Sequence, residues 1–73
     1  MPKHPESQAL FTRLLTEAGF RNDDGTFDRK RFCETTEMNP RSFKVYFDGN
    51  ARMSNKKLID TAHKAGLISF NIL

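Results

Sequence analysis

Apolar residues recur at helical spacing in the first quarter of the chain. The apolar positions are Leu10, Phe11, Leu14, Leu15 and Ala18. Such a stripe is typical of a helix that buries one face. It predicts a first helix from Ser7 to Ala18, which Gly19 ends because glycine adopts the left-handed conformation without strain. Residues 1–5 contain two prolines and are predicted to form a flexible leader.

Three further helix starts share one local pattern. An apolar residue precedes a capping residue, whose side chain accepts a hydrogen bond from an unpaired amide, and a second apolar residue follows four positions later. The three sets are Phe27-Asp28 with Phe32, Met38-Asn39 with Phe43, and Met53-Ser54 with Leu58. The pattern predicts helices from about Asp28 to Thr36, from Asn39 to Asp48, and from Ser54 to Ala65.

The predicted second and third helices are separated only by Glu37 and Met38. Two short helices with so tight a link cross steeply, as in a helix-turn-helix unit. Gly49 and Gly66 follow the third and fourth helices as C-caps. The sequence therefore predicts an all-α fold, a single four-helix helix-turn-helix domain over residues 1–73.

The segment 67–73 alternates apolar and polar residues, which is the periodicity of a β-strand. A lone strand needs a partner outside its own chain or a place on the core. We expect this tail to join two subunits, with Ile68, Phe70 and Ile72 as the dimerisation residues.

The composition indicates a small aromatic core, and charge is distributed unevenly along the chain. Seven phenylalanines among 73 residues bury much area each, which suits a short chain. Residues 1–25 carry three basic and four acidic side chains, whereas residues 26–73 carry nine and five, which makes the second part strongly basic. This asymmetry favours an acidic polymer as partner, above all a nucleic acid.

The third helix separates aromatic from basic side chains. Phe43, Tyr46 and Phe47 cluster on one side of the helical wheel, and we expect them to face the core. The residues left for the opposite side and its edges are Arg41, Ser42, Lys44 and Val45. Arginine or lysine can bind guanine O6 and N7, and valine can contact a thymine methyl. These four residues are the predicted base-reading set.

Other cations flank that helix in the sequence. A basic run opens the second helix, against the preference of the helix dipole, and a second basic group surrounds the start of the fourth helix. The predicted phosphate-binding residues are Arg29, Lys30, Arg31, Asn39, Arg52, Asn55, Lys56 and Lys57.

The stretch from Asp28 to Gly49 resembles the helix-turn-helix of the Cro/C1-type (XRE-like) phage and bacterial repressors. The matching positions are Phe32 and Cys33, Phe43, Tyr46, Gly49, and the loop and closing helix over residues 50–66. The resemblance implies a double-stranded DNA partner, a homodimer and repression of transcription. Two positions depart from the pattern. Glu37 stands where the family often has glycine, and Pro40 stands where it often has a polar base reader.

The end of the chain is also similar to small antitoxin regulators of the same superfamily. The alternative hypothesis is therefore a protein-binding module, either an antitoxin that masks a toxin or a small phage inhibitor of a host protein. Steep salt dependence of binding distinguishes a DNA partner from a protein partner.

The remaining chemistry-bearing residues predict no enzyme. Cys33 is expected to be a small buried packing residue. The histidines at positions 4 and 63 are isolated, and the run Asp23-Asp24-Gly25 predicts a turn instead of a calcium loop. We therefore expect no metal and no cofactor. With one cysteine and no pattern of a signal peptide or membrane span, we expect a cytoplasmic protein.

Overall fold

A computed structural model describes residues 2–68 and Phe70. It contains α1 (Pro5–Glu17), α2 (Arg29–Thr36), α3 (Pro40–Phe47) and α4 (Asn55–Lys64). The predicted all-α architecture with four helices is confirmed, and the predicted pair of short helices joined by a tight turn is present as α2 and α3. The first helix begins at Pro5 instead of Ser7, because proline fits the first helical position, where its missing N–H is not needed.

Side-chain caps begin three of the helices, as the sequence pattern predicts. The Asp28 carboxylate accepts from the Arg31 amide at 3.2 Å. The Asn39 side-chain oxygen accepts from the Arg41 amide at 2.8 Å, and the Ser54 hydroxyl accepts from the Lys57 amide at 3.2 Å. Each cap pairs an amide that the helix cannot satisfy by itself.

Aromatic side chains form the centre of the core. The Phe11 ring of α1 packs edge-to-face on Phe32 of α2 at 5.7 Å and on Phe43 of α3 at 5.4 Å between centroids. Phe20, from the loop after α1, packs on Phe32 at 5.1 Å. The Phe11 ring therefore joins α1, α2 and α3. Leu58 and Ala62 of α4 complete the core.

The loop between α1 and α2 contains the predicted turn. The Asp24 carboxylate accepts from the Thr26 amide at 3.0 Å and from the Thr26 hydroxyl at 2.6 Å, and the hydroxyl contact is the main reason that the pKa of Asp24 lies below its ordinary value. In the described part of the chain, β pairing is limited to one antiparallel bridge between Arg21 and Phe27.

The end of the described chain differs from the predicted strand. Leu67 and Ile68 have irregular backbone, and Phe70 is buried in the core with 8% of its surface exposed. The guanidinium of Arg13 lies 4.5 Å from the Phe70 ring centroid. Phe70 therefore packs into the core of its own chain, where burial of its ring is favourable, and its role in dimerisation stays a prediction. Ile72 lies outside the described residues.

Candidate nucleic-acid interface

Aromatic packing determines which side of α3 is exposed. The Phe43 side chain is 3% exposed, and its ring stacks on that of Phe47 at 5.5 Å. Phe47 in turn packs edge-to-face on Phe27 at 5.6 Å. Arg41 and Lys44 are exposed. The predicted orientation of α3, with aromatic residues inward and basic residues outward, is confirmed.

The four predicted base-reading residues do not share the same environment. Arg41 and Lys44 are exposed, whereas Ser42 and Val45 are half-buried at the edges of the exposed surface. Lys44 Nζ forms an exposed ion pair with Asp48 Oδ2 at 2.9 Å. An exposed pair of this kind contributes about 0–1 kcal/mol, so Lys44 can exchange this partner for another acceptor. We call these four residues the outer face of α3.

The turn before α3 holds an unusual backbone conformation. Glu37 follows the last residue of α2 and has φ 57° and ψ 31°, in the left-handed region. It is the only residue other than glycine with positive φ in the described chain. Its N–H still donates to the Cys33 carbonyl, which ends α2 and lets α3 start three residues later. The position where the resemblance implies glycine is therefore the one that adopts a glycine-like conformation.

The three cations at the start of α2 divide into two kinds. Arg29 and Lys30 are exposed. Arg31 instead donates to the Asp28 carboxylate at 3.1 Å and to the Gly19 carbonyl at 2.9 Å, and its guanidinium lies 4.3 Å from the Phe20 ring centroid. Arg31 thus ties the start of α2 to the end of α1. Its predicted phosphate contact competes with these three interactions.

The second basic flank lies at the start of α4. Arg52, Asn55, Lys56 and Lys57 are all exposed. Lys57 Nζ lies 5.1 Å from the ring centroid of Tyr46, so this flank directly adjoins α3. Such an exposed cation–π contact contributes about 0.5–1 kcal/mol.

A small groove separates the start of α3 from α4. Its volume is about 330 Å³, and its lining includes Asn39, Ser42, Lys57 and Lys64. Ser42 therefore lies on the α4 side of α3, at the edge of the outer face. The side-chain oxygen of Asn39, a predicted phosphate ligand, is occupied by the cap of α3.

The sequence prediction missed the segment before α1. The His4 amide donates to the Gly49 carbonyl at 2.8 Å, which places residues 2–4 beside the end of α3. Lys3 and His4 consequently line one groove together with Arg52 and Asn55. Local sequence patterns contain no signal for a contact between positions 45 residues apart.

Cys33, which could in principle act as a nucleophile or a metal ligand, occupies a structural position. Cys33 is 7% exposed, and burial raises the pKa of its thiol, against a smaller opposing effect of Arg29. The predicted packing role of Cys33 is confirmed.

Among the residues that the structure describes, no group of three or more His, Cys, Asp or Glu side chains could hold a metal ion. No helix among them is long and apolar enough to cross a membrane.

Two large apolar side chains are exposed in the part of the chain that the structure describes. Ile68 is 95% exposed and Ile59 on α4 is 39% exposed. With Phe70 in the core, Ile68 is the predicted dimerisation residue whose described side chain is available to a partner.

Comparison with known proteins gave no relatives. No family model, curated protein or solved structure matches this chain.

Proposed function

We propose that this protein is a sequence-specific DNA-binding regulator of transcription that inserts α3 into the major groove. One observation carries the proposal: the aromatic side of α3 packs on the core, where Phe43 is buried and its two aromatic neighbours are half-buried, while Arg41 and Lys44 project from the exposed side. A helix anchored in this way presents long hydrogen-bond donors to any surface that it approaches. The major groove of B-DNA admits an α-helix and displays the acceptors that such donors bind.

Each residue of the outer face has a distinct proposed role. Arg41 binds guanine O6 and N7 with two parallel hydrogen bonds, which is the commonest specific contact to a base. Lys44 leaves Asp48 to bind a second base acceptor. Ser42 and Val45 lie at the edges and contribute a hydroxyl and a methyl contact.

The cations on the two flanks hold the DNA backbone. Arg29 and Lys30 at the start of α2 serve one strand, and Arg52, Lys56 and Lys57 near the start of α4 serve the other. Contacts to phosphates fix the position of a protein on DNA without reading the sequence. Arg31 contributes little to binding because it is engaged in the fold.

The regulator acts as a dimeric repressor in the cytoplasm of a bacterium, on an operator with inverted repeats. Two copies related by a twofold axis place their recognition helices about 34 Å apart, one turn of DNA. The exposed Ile68 supports a contact between subunits, because burying an isoleucine contributes about 1.5–3 kcal/mol. Occlusion of polymerase from the promoter is then sufficient for repression.

The test begins with selection of bound sites from a random duplex pool, followed by fluorescence anisotropy on the selected site. Arg41→Ala should weaken binding by about 1–3 kcal/mol and relax specificity at one base pair. Lys56→Ala should weaken specific and random DNA alike and lower the salt slope by about 0.9. Arg21→Ala removes an exposed cation of the α1–α2 loop that is not among the proposed DNA contacts, and it serves as the control.

Three outcomes contradict the proposal. Equal losses on specific and random DNA for Arg41→Ala refute the base-reading role. An absence of salt-dependent binding to duplex DNA refutes the function. Capture of a toxin or host protein that survives nuclease treatment, in place of DNA binding, supports the alternative protein-binding module.

The dimer has its own test. Ile68→Asp introduces a charge into the proposed subunit contact and should shift sedimentation from dimer to monomer, with weaker operator binding. Ile59→Asp, on the exposed side of α4, is the matched control. An unchanged dimer in the Ile68 variant removes this residue from the interface.

A further inference from the structure

The segment before α1 lies against the end of α3. The His4 amide donates to the Gly49 carbonyl at 2.8 Å. Gly49 has φ +76°, and a Cβ added there would lie 2.5 Å from Cβ of Pro2. Gly49 is therefore needed both for its backbone conformation and for the close approach of this segment.

Two further hydrogen bonds fix the first turn of α1 in the same place. The Gln8 side-chain amide donates to the Phe47 carbonyl at 3.0 Å. The Met53 amide donates to the Ser7 hydroxyl at 2.8 Å, in a buried position. The start of α1 is thus joined both to the end of α3 and to the loop that carries Arg52.

These contacts form a groove that we call the N-terminal groove. Its volume is about 590 Å³, and its polar lining includes Lys3, His4, Glu6, Arg52 and Asn55. Two cations face one carboxylate there, so the groove has a net positive charge at neutral pH. Two basic side chains far apart in the sequence are brought to one site beside the recognition helix.

We propose that the N-terminal groove binds a phosphate of the DNA backbone, with Lys3 and Arg52 as its ligands. This inference rests on the proposed function. It adds Lys3 to the residues that are proposed to contact DNA. Lys3 lies before α1 and is not among the phosphate-binding residues predicted from the sequence. The groove adjoins the end of α3, and a helix in the major groove has the sugar-phosphate backbone on either side of it. Lysine and arginine at that point neutralise phosphate charge and release counterions.

A purely structural role for the same cations makes a different prediction. The C-terminal end of a helix carries partial negative charge, with which nearby cations interact favourably. If Lys3 and Arg52 only offset the dipole of α3, their removal lowers Tm and leaves the salt dependence of DNA binding unchanged. The two roles are separable in one set of variants.

The experiment compares Lys3→Gln, Arg52→Gln and the control Arg21→Gln in the full chain, using anisotropy on the selected duplex between 50 and 200 mM salt. Each phosphate contact contributes about 0.9 to the slope of log affinity against log salt. Between 50 and 200 mM salt, the total fold-loss in affinity should be about three- to fourfold smaller for each groove variant than for wild type. Arg21→Gln should retain the wild-type slope, and thermal melts should give similar Tm values for all three variants.

The double variant tests whether the two ligands share one phosphate. The fold-loss in affinity at fixed salt should be smaller for Lys3→Gln/Arg52→Gln than the product of the two single losses, because each ligand depends on the other. Wild-type binding to DNA together with a Lys3 variant that matches the Arg21 control overturns the groove assignment and leaves the proposed function standing. Failure of the wild type to bind duplex DNA overturns both.

Discussion

The turn between α2 and α3 offers a sharp test of the structure. Glu37 occupies the left-handed region, with φ 57° and ψ 31°, and its side chain is exposed. A residue with a Cβ is strained there by about 1–2 kcal/mol, since the Cβ crowds the following carbonyl oxygen. Glu37→Gly removes this strain and should stabilise the fold.

The size of the effect follows from two opposing terms. Relief of strain contributes about 1–2 kcal/mol, and the greater freedom of glycine in the unfolded chain opposes it by about 0.5–1 kcal/mol. The difference between these two ranges is about 0–1.5 kcal/mol, with a central value of about 0.75 kcal/mol in favour of glycine. In a domain of this size, 1 kcal/mol shifts Tm by about 4–8 °C, so the central value corresponds to a rise of roughly 3–6 °C.

Thermal and urea unfolding followed by circular dichroism measure this shift. The matched control is Glu34→Gly, which changes another exposed glutamate, inside α2. That variant should lose about 0.5–1 kcal/mol, since glycine is unfavourable within a helix. Opposite signs for the two variants support the left-handed turn. A destabilised Glu37 variant refutes it.

Three further predictions concern residues outside the outer face of α3. Arg31→Gln should lower stability by about 1 kcal/mol through loss of its hydrogen bonds, whereas Arg29→Gln should leave the Tm nearly unchanged; equal melts contradict the structural role. The Cys33 thiol should react slowly with a disulfide reagent at neutral pH and quickly in urea, because burial raises its pKa; fast labelling of the folded protein contradicts this. The pKa of Asp24 is lowered, so its contribution to stability is present above the ordinary value of 3.8 and is lost as pH falls through the folded value; in NMR titrations, Thr26→Val should raise this pKa.

Local sequence patterns predict the helices of this chain because the forces that start and end them are local. Asp28, Asn39 and Ser54 cap helices within three residues of their own positions. The outward orientation of Arg41 is also predictable, since the spacing of Phe43 and Phe47 alone determines which side of α3 is apolar. Short-range chemistry is sufficient for the fold class and for the outer face of α3.

The rest of the candidate site depends on contacts between distant positions. Arg31 belongs to a basic run in the sequence, yet a carbonyl 12 residues earlier captures its guanidinium. Lys3 lines the N-terminal groove only because His4 and Gly49 pair across 45 residues. The alternating pattern of the tail is compatible with Phe70 either on the surface or in the core. In the structure its ring is buried in the core. Packing in three dimensions decides such cases, and no local pattern encodes it.

The same packing limits which variants can test DNA binding. Truncating a buried phenylalanine such as Phe43 costs about 3–5 kcal/mol, whereas a chain of 73 residues has a total stability of about 4–11 kcal/mol. Phe43→Ala should therefore unfold much of the protein, and its loss of DNA binding would say nothing about base reading. Arg41→Ala changes an exposed side chain, for which stability effects are usually within about 0.5 kcal/mol. A variant that keeps the wild-type melt and loses specificity at one base pair thus distinguishes the outer face of α3 from the core that orients it.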